Sequence, residues 1–549
     1  MNRRHAPLAL AFCFASLVAL SACSSDGGGS ADTATTAPDA DTTTADDDAD
    51  TAVAADTIAA DTAEPEPPHP LTLEERGYTE VRTIVHLHSA FSHDGCDEMG
   101  LDEDGKPNWT CVRRMKAALC AEHIGVAFMT DHPAHMREQA FEDLLYAEPE
   151  TGDALLRDDD GNAWGIHFHC PAGQGGPDGT VVLVPGFEGT HTMGIGLRRH
   201  LSDPAHYGTD MLTETAAADI QAAADDIHGV GGMLTVAHSE QTELDAATII
   251  TSPADAMELY NFHANFNTVL GTDIGAALFL LEPFLGQSAP PDADLAALAM
   301  LGTYPDAALT KWRTVSASRP ITAFAGSDVH ENVLLPALCA DTDACDSLAE
   351  SYPNLVDALK VGGNLHLTDG ERIDAYARVF RWVANRVWIA PGTDQLAGVE
   401  AAFRAGRVNV IFGVLGDAPG VAFLAETPGE DGGDAVVHDM GETLPAAAGA
   451  TLWVRSPDAP VPGRLASWTD GAPAELTTTL WRTVAGGETT QVLQFTGPAT
   501  WRSVAVTEVG SYHVEVTVVP KHLAPALDAG STLDEASFRW VETNAIRLE

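Results

Sequence analysis

Short apolar segments recur along the first three quarters of the chain, and a histidine or carboxylate stands at the end of five of the six. Their length and composition predict buried strands at 84–87, 125–129, 180–184, 232–237, 256–259 and 321–325. Between them, apolar residues at helical spacing predict helices at 110–122, 136–146, 213–228 and 270–316. Strands that alternate with helices favour a parallel sheet with helical crossovers, and their repetition favours an α/β barrel. The stretch 150–178 lacks such a pattern and is interpreted as an inserted loop.

The pattern changes near residue 415. Helical spacing at 371–386 and 396–405 leads to an apolar run at 407–413, which we interpret as the end of the barrel. Beyond it, alternating segments between Gly, Pro and Asp turns predict an all-β sandwich, with the clearest strands at 450–454, 476–481, 491–495 and 512–518. We therefore expect a barrel over residues 69–414 and a sandwich over 415–549.

The residues that follow the predicted strands are of the types that bind metal ions. They are His86, His88, His132, Glu188, His238, Asp328 and His330. In α/β barrels the C-terminal ends of the strands meet at one face, and active sites lie there. Histidine nitrogens and carboxylate oxygens suit divalent ions such as Zn, Mn or Fe. A His-x-His pair alone is weak evidence, since His167 and His169 share the spacing without the context; the repeated pattern is what predicts a metal site.

The charge of the chain restricts its partners. The sequence has 29 basic and 80 acidic side chains, a formal charge of −51. Residues 69–549 alone carry 27 basic and 68 acidic side chains, a formal charge of −41. Such a surface repels nucleic-acid phosphates and anionic lipid headgroups. We therefore expect a small-molecule substrate and no nucleic-acid partner.

The first residues predict export. Arg3 and Arg4 precede an apolar stretch at 8–20, and the segment 20–23, Leu-Ser-Ala-Cys, resembles the lipobox of bacterial lipoproteins. Residues 1–23 would then be a signal peptide, and a lipid on Cys23 would be the sole membrane contact. A plain secretory signal and a transmembrane helix are the competing interpretations. Ser24 favours the outer over the inner membrane, and residues 24–68 have the composition of a disordered acidic tether.

Six cysteines remain after Cys13 and Cys23 are set aside, namely Cys96, Cys111, Cys120, Cys170, Cys339 and Cys345. An even number in an exported protein favours three disulfides, with 15 possible pairings. Cys339 with Cys345 is the favoured local pair. A zinc-thiolate site is the alternative, and the absence of C-x-x-C spacing disfavours it.

Taken together, the motifs resemble the PHP superfamily, named for its polymerase-associated and histidinol-phosphatase domains. The resemblance spans about residues 80–410 and rests on His86-Leu87-His88 with Asp94, Thr130-Asp131-His132, Gly186-Phe187-Glu188, Ala237-His238 and Gly326-Ser327-Asp328-Val329-His330. It implies a distorted seven-stranded (β/α) barrel that holds two or three divalent metal ions. Exported PHP-like hydrolases often carry a C-terminal β-sandwich whose W-x-x-[ST]-N motif resembles residues 540–544 here. That module would cover the barrel edge or bind a glycan or partner.

The resemblance also implies a ligand set. His86, His88, Glu188 and Asp328 would hold one ion; Glu188 with His191 and His238 a second; and Asp94, His132 and His330 a third. Asp131 would orient a ligand. Glu258 and Asn261 would line the pocket, or else form a polar pair in the core.

Two departures from the family pattern leave alternatives open. The histidine after the bridging glutamate usually lies further on, so His200, His206 or His263 could replace His191. His93 could likewise compete with Asp94.

This chemistry predicts hydrolysis. Bound divalent ions activate water and neutralise charge on phosphate oxygens. We therefore expect a metal-dependent phosphoesterase acting on a small phosphate ester. The alternatives are hydrolysis of a carboxylic or carbamate ester, and a surface binding protein with a silent barrel. Arg198 and Arg199 could bind phosphate, although solvated surface positions are the simpler interpretation.

Overall fold

The chain is described by a computed structural model in which every described residue belongs to one compact unit, Pro65–Glu549. The described residues are 68–208, 217–266, 281–285, 292–301, 306–335, 349, 356–357, 360–429, 433–461, 472–527 and 531–549. The predicted signal peptide, lipobox, acidic tether and Cys339–Cys345 pair lie outside them.

The unit mixes helices with a large mixed sheet and a separate antiparallel sheet. The α-helices of the described residues are α1 (Trp109–Ala121), α2 (Pro133–Met136), α3 (Ala217–Gly229), α4 (Ala246–Thr251), α5 (Ala296–Leu301), α6 (Asp306–Ser318), α7 (Tyr376–Trp382) and α8 (Gln395–Arg404). Short 3-10 turns lie at Phe141–Leu145, Pro149–Thr151, Pro204–Tyr207, Glu282–Phe284, Ala293–Leu295, Gly413–Leu415, Ala446–Ala448 and Lys521–Ala526.

The strands of the first part are β1 (Thr79–Leu87), β2 (Val126–Met129), β3 (Ala154–Arg157), β4 (Ala163–His169), β5 (Thr180–Pro185), β6 (Phe187–Glu188), β7 (Thr192–Ile195), β8 (Met233–Val236), β9 (Ala256–Asn261), β10 (Thr322–Val329), β11 (Leu334–Leu335) and β12 (Gly363–Asn364). Those that follow are β13 (Ala384–Ile389), β14 (Val408–Ile411), β15 (Ala422–Thr427), β16 (Val436–Asp439), β17 (Thr443–Leu444), β18 (Ala450–Arg455), β19 (Glu475–Thr483), β20 (Thr489–Thr496), β21 (Trp501–Val506), β22 (Gly510–Val519), β23 (Phe538–Thr543) and β24 (Ile546–Leu548).

A run of parallel strands forms the centre of the large sheet. In spatial order it is β5, β2, β1, β10, β9 and β8, each parallel to its neighbour. These strands are almost wholly buried, as expected for parallel strands covered on both faces. Because they run in one direction, the residues that follow them gather at one edge.

The large sheet continues into the C-terminal part of the chain. β13 pairs with β1 and β14, and β14 pairs with β23, which adjoins β22. Asn544 reinforces this junction, since its side chain accepts a hydrogen bond from Ala323 N and donates to the carbonyls of Ala323 and Val408. Trp540 is fully buried and donates to Gly416 O at 2.8 Å. Within the Trp-x-x-Thr-Asn motif, Asn544 therefore connects the end of the chain to β10 and β14, and Trp540 connects it to the turn after β14.

A separate four-stranded antiparallel sheet has the order β16, β15, β18, β21. The alternating segments predicted beyond residue 415 are confirmed as strands β18, β19, β20 and β22. Three of them, β19, β20 and β22, belong to the large sheet, and β18 belongs to the four-stranded one.

Helix α1 lies where the pattern predicts it. Asn108 rather than Thr110 is the N-cap, because the Asn108 side chain accepts from the amides of residues 110 and 111. Val112, Met115 and Leu119 form its buried face.

Three other expectations were wrong. The supposed loop at 150–178 contains the hairpin β3–β4, which pairs onto β5. The helix predicted at 371–386 ends at Trp382, and the chain continues as β13. The helix predicted at 136–146 is replaced by α2 and a 3-10 turn at Phe141–Leu145.

Two disulfides, Cys96–Cys111 and Cys120–Cys170, join this part of the chain. They indicate folding in an oxidising, extracytoplasmic environment. Within the described ranges, none of the helices has the length and apolar character needed to cross a membrane.

Candidate metal centre

The end of β1 presents His86 and His88 through an irregular backbone. The pairing of β1 with β2 and β10 shifts register between Val85 and Leu87, and His86 has a φ of 61°. A bulge of this kind redirects side chains at a strand end. His238 and Asp328 also have positive φ values, each 49°. Non-glycine residues rarely adopt this conformation, and such strain concentrates at functional sites.

The central group of the site consists of His86, His88, Glu188 and Asp328, all at most 2% exposed. His86 Nε2 lies 3.2 Å from Glu188 Oε1 and 3.2 Å from Asp328 Oδ1. His88 Nε2 lies 3.1 Å from Glu188 Oε2 and 3.2 Å from the same Asp328 oxygen. Ligands held about 2.1 Å from one ion are about 3.0–3.4 Å apart in octahedral or tetrahedral geometry. The spacing therefore matches a single ion between these four side chains.

A second group shares His88 and adds Asp94, His132 and His330. Asp94 Oδ2 lies 3.3 Å from His330 Nε2 and 3.5 Å from His132 Nε2. His132 Nδ1 is also 3.4 Å from Glu188 Oε2, so Glu188 faces both groups.

A third group contains His238, Glu240 and Glu258. His238 Nε2 is 2.8 Å from Glu188 Oε1, and His238 Nδ1 is 3.3 Å from Glu240 Oε1. Glu240 was not predicted from the sequence, although its position two residues after a strand-end histidine is the signal that could have found it.

Hydrogen bonds on the far ring nitrogens orient three of the histidines. His86 Nδ1 contacts Glu258 Oε1 at 2.5 Å, His88 Nδ1 contacts Ser92 Oγ at 3.0 Å, and His330 Nδ1 contacts Asp328 O at 2.8 Å. With Nδ1 as donor, each ring directs the lone pair of Nε2 into the cluster, as ligating histidines do. Ser92 in turn donates to Asp94 Oδ1 at 2.7 Å.

Several polar atoms that face the centre of the cluster make no hydrogen bonds, although oppositely charged groups lie 3.1–3.4 Å away. Five of them are buried and make no hydrogen bond within the described part of the chain: His86 Nε2, His88 Nε2, His330 Nε2, Glu188 Oε2 and Asp328 Oδ1. Buried polar groups in native proteins are almost always satisfied, and an unsatisfied group costs about 1–3 kcal/mol or more. Nitrogen and oxygen donors that converge without mutual hydrogen bonds fit divalent cations that would satisfy them together.

Electrostatics couple the same residues. Burial lowers the pKa of His86, but the Asp328 and Glu188 carboxylates outweigh it and raise the pKa well above its usual value. The pKa of His238 is likewise raised, because contacts with Glu188 and Glu240 outweigh burial. Burial raises the pKa values of Glu188 and Asp328, yet the nearby histidines dominate and hold both well below the usual range. Protons and metal ions would therefore compete for one set of donors.

Two predicted site residues have other contacts. Asp131 is buried, and its two oxygens accept from the amide and hydroxyl of Ser89, each at 2.6 Å. Its carboxylate therefore shapes the loop after His88 and belongs to none of the three ligand groups, while its carbonyl accepts from the Glu188 amide at 3.3 Å. His191 Nε2 contacts Gln241 Oε1 at 2.9 Å, and His191 belongs to none of the three groups.

None of the alternative histidines belongs to these groups either. Both ring nitrogens of His200 are engaged, with Tyr207 Oη and Gln139 O. His206 contacts Asp226 at 2.8 Å. His263 is near His330, with ring centroids 5.0 Å apart, and burial lowers its pKa to about 4. His93 lies beside the site, 3.9 Å from Asp94, and is half exposed.

The group around Asp94 is attached to the rest of the fold at Cys96. The Cys96 amide donates to His330 O at 2.8 Å, and its sulfur is joined to Cys111 on α1. The loop that carries Asp94 is thereby connected both to the end of β10 and to a helix.

A cavity of about 590 Å³ opens onto the site. It is lined by His93, His132, Pro133, Ala134, Arg137, Glu188, Gly189, Thr190, Pro204, Ala205, Tyr207, Gly208, His238 and Gln241. A volume in this range suits a small organic molecule. The described residues thus combine candidate ligands with a space for a substrate.

Comparisons with family models, with curated proteins and with solved structures found no match to this chain.

Proposed function

We propose that this protein is a metal-dependent phosphoesterase with a PHP-like barrel at residues 69–414. The observation that carries the proposal is the convergence of buried histidine and carboxylate atoms that make no hydrogen bonds, beside a cavity of small-molecule size. A single buried ionisable group that lacks a hydrogen bond would not by itself indicate an active site. Several that converge at the ends of parallel strands have the character of an active site.

The strand pairing supports the barrel. The parallel run from β5 to β8 continues through β7, which is antiparallel to both β8 and β6. β6 follows β5 after the single residue Gly186. Seven strands thus pair in a circuit that returns to its start, if β5 and β6 count as one. A seven-stranded distorted barrel accounts for this circuit, and a sandwich over 415–549 would account for the antiparallel strands.

Each ligand group has a proposed role in holding a metal ion. His86, His88, Glu188 and Asp328 would hold one ion, and Asp94, His132 and His330 a second, with His88 and Glu188 close to both. His238 with Glu188 would hold a third. Glu258 would keep His86 oriented. When bound, such ions supply Lewis acidity, which activates water and neutralises charge on a phosphoryl group.

The alternative substrate is a carboxylic or carbamate ester, because Lewis acidity serves either bond. The phosphate ester is favoured because the cavity is lined by Arg137 together with one member of each ligand group, namely His132, Glu188 and His238. A phosphoryl group carries more negative charge than a carboxylic ester and gains more from several cations.

We also propose that the signal at 1–23 and lipidation of Cys23 anchor the mature protein outside the cytoplasm, more readily on the outer membrane. The disulfides and the acidic composition are compatible with that location.

Elemental mass spectrometry tests the proposal first. The purified protein should contain two or three equivalents of Zn, Mn or Fe, and a His86→Ala/Asp328→Ala variant should lose most of them. A His167→Ala/His169→Ala variant is the matched control, since this pair has the same spacing but lies on β4. The metal-loaded protein should then hydrolyse p-nitrophenyl phosphate faster than p-nitrophenyl acetate. Less than one equivalent, unaltered in the His86 variant and not restored by added metal, would refute the enzyme.

A further inference from the structure

The cavity beside the metal centre contains one strongly basic side chain. Among the described residues that line it there is a single arginine, Arg137, and no lysine. The same cavity is lined by His132, Glu188 and His238. A fixed positive charge therefore shares the space with the candidate ligands.

The backbone determines where this charge lies. His132 precedes α2 directly, and the Arg137 amide donates to Pro133 O at 3.3 Å at the end of that helix. Five residues of helical rise separate the two Cα atoms by roughly 8 Å, a distance that an extended arginine side chain can span. Any displacement of α2 would move Arg137 and His132 together.

The Arg137 side chain is exposed, and no carboxylate of the described residues forms an ion pair with it. Arg198, by contrast, is neutralised, because it donates to Glu400 at 2.6 Å and stacks on Trp164 at 3.9 Å. Arg199 lies outside the cavity lining and donates to Gly229 O. The two arginines suggested by the sequence as phosphate ligands are thus engaged elsewhere, and Arg137 occupies the position they would need.

We propose that Arg137 binds the phosphoryl oxygens of the substrate and makes the cavity selective for small phosphate esters. The inference rests on the proposed function, since without bound cations the buried carboxylates of Glu188, Glu258 and Asp328 would repel an anion. A guanidinium matches the geometry of phosphate and can donate two hydrogen bonds to it. The organic part of the ester would lie against Pro133, Ala134 and Tyr207.

The test compares the metal-loaded protein with Arg137→Met, Arg137→Lys and Arg199→Met. Met removes the charge and keeps much of the side-chain length, Lys keeps the charge, and Arg199→Met removes an exposed arginine outside the cavity. Metal content is measured for each variant. Calorimetry then gives the affinity for inorganic phosphate, and steady-state kinetics give KM and kcat for p-nitrophenyl phosphate and p-nitrophenyl acetate.

Arg137→Met should weaken phosphate binding and raise KM for p-nitrophenyl phosphate about 10- to 100-fold, as loss of a charge-assisted contact does. Arg137→Lys should recover part of this loss. Metal content and hydrolysis of p-nitrophenyl acetate should stay unaltered, and Arg199→Met should behave as the wild type.

Phosphate affinity and KM in Arg137→Met within about twofold of the wild type would overturn the inference, as would a metal-loaded wild type that does not bind phosphate. Arg137-dependent phosphate binding without cleavage of any ester would refute the proposed function and leave Arg137 as an anion ligand. The two failures are therefore distinguishable.

Discussion

Replacement of Glu258 by glutamine should weaken metal binding about 10- to 150-fold while the protein stays folded. Glu258 lies on β9, is fully buried, and faces the bulge at the end of β1. Its Oε1 is 2.5 Å from His86 Nδ1, and its Oε2 accepts from the His238 amide at 2.7 Å. One carboxylate therefore positions two candidate ligands from two different strands.

The magnitude follows from these contacts. A glutamine amide has one accepting oxygen, so it can satisfy His86 or the His238 amide but not both. The lost charge-assisted hydrogen bond contributes about 1.5–3 kcal/mol. Because 1.36 kcal/mol corresponds to a factor of ten, the expected loss of affinity is about 10- to 150-fold. The loss should appear in metal affinity, since the orientation of His86 is what the carboxylate controls.

Metal affinity is measured by competition with a fluorescent chelator, and folding by circular dichroism. Glu542→Gln is the matched control, because Glu542 is another fully buried strand glutamate, on β23, with no hydrogen bond to either oxygen in the described structure. It should bind metal as the wild type does. Wild-type affinity in Glu258→Gln would refute the idea that this carboxylate orients His86.

Three further perturbations give measurable outcomes. Gly326→Ala should abolish metal loading, because the added Cβ would lie 2.0 Å from Glu258 Oε1. Elemental analysis measures the metal content, and full metal content in this variant would contradict the close packing of Gly326 against Glu258. Metal affinity should fall as the pH is lowered from 8 to 6, because the pKa values of His86 and His238 are raised and protons compete with the metal for these nitrogens. Metal binding should therefore release protons, and calorimetric titrations in buffers of different ionisation enthalpy measure this release. A metal affinity that does not depend on pH would contradict the reasoning. Burial raises the pKa of Glu542, so the wild type loses stability as the pH rises above about 4.5. Glu542→Gln removes this loss and should therefore raise the melting temperature more at pH 8 than at pH 5. Equal increases in melting temperature at the two pH values would contradict the reasoning.

Most of the strands and the strand-end residues could be predicted from apolar periodicity, because buried parallel strands produce runs that a sequence displays directly. The hairpin β3–β4 was missed because apolar and polar residues do not alternate clearly along β4, whose seven residues include Gly165 and two histidines. Residues 384–386 were assigned to the end of a helix, although they begin β13, which pairs with both β1 and β14. Tertiary pairing overrode their local pattern.

The candidate site shows a different limit of prediction from the sequence. The structure brings His86 and His88 together through a bulge and a positive φ at His86. The sequence pattern identified the ligand types without the backbone geometry that positions them. Glu240 and Arg137 follow the strand-end motifs by two and five residues, in loops whose paths are determined by tertiary contacts. Asp131 and His191 carry the expected residue types, yet Ser89 and Gln241 engage them.

The candidate metal centre concentrates features that each oppose folding. His86, His238 and Asp328 have positive φ values, which cost about 1–3 kcal/mol apiece. The unpartnered nitrogens and oxygens around them add the cost of burial without hydrogen bonds. A fold retains strained residues and buried polar atoms without hydrogen bonds where another interaction offsets their cost. Several divalent cations coordinated by these atoms would offset it at every strained position. A silent barrel would gain nothing from this arrangement, because ordinary strand ends with apolar or solvated residues would be more stable. The strain and the unpartnered atoms together therefore favour a functioning metal centre over a structural remnant.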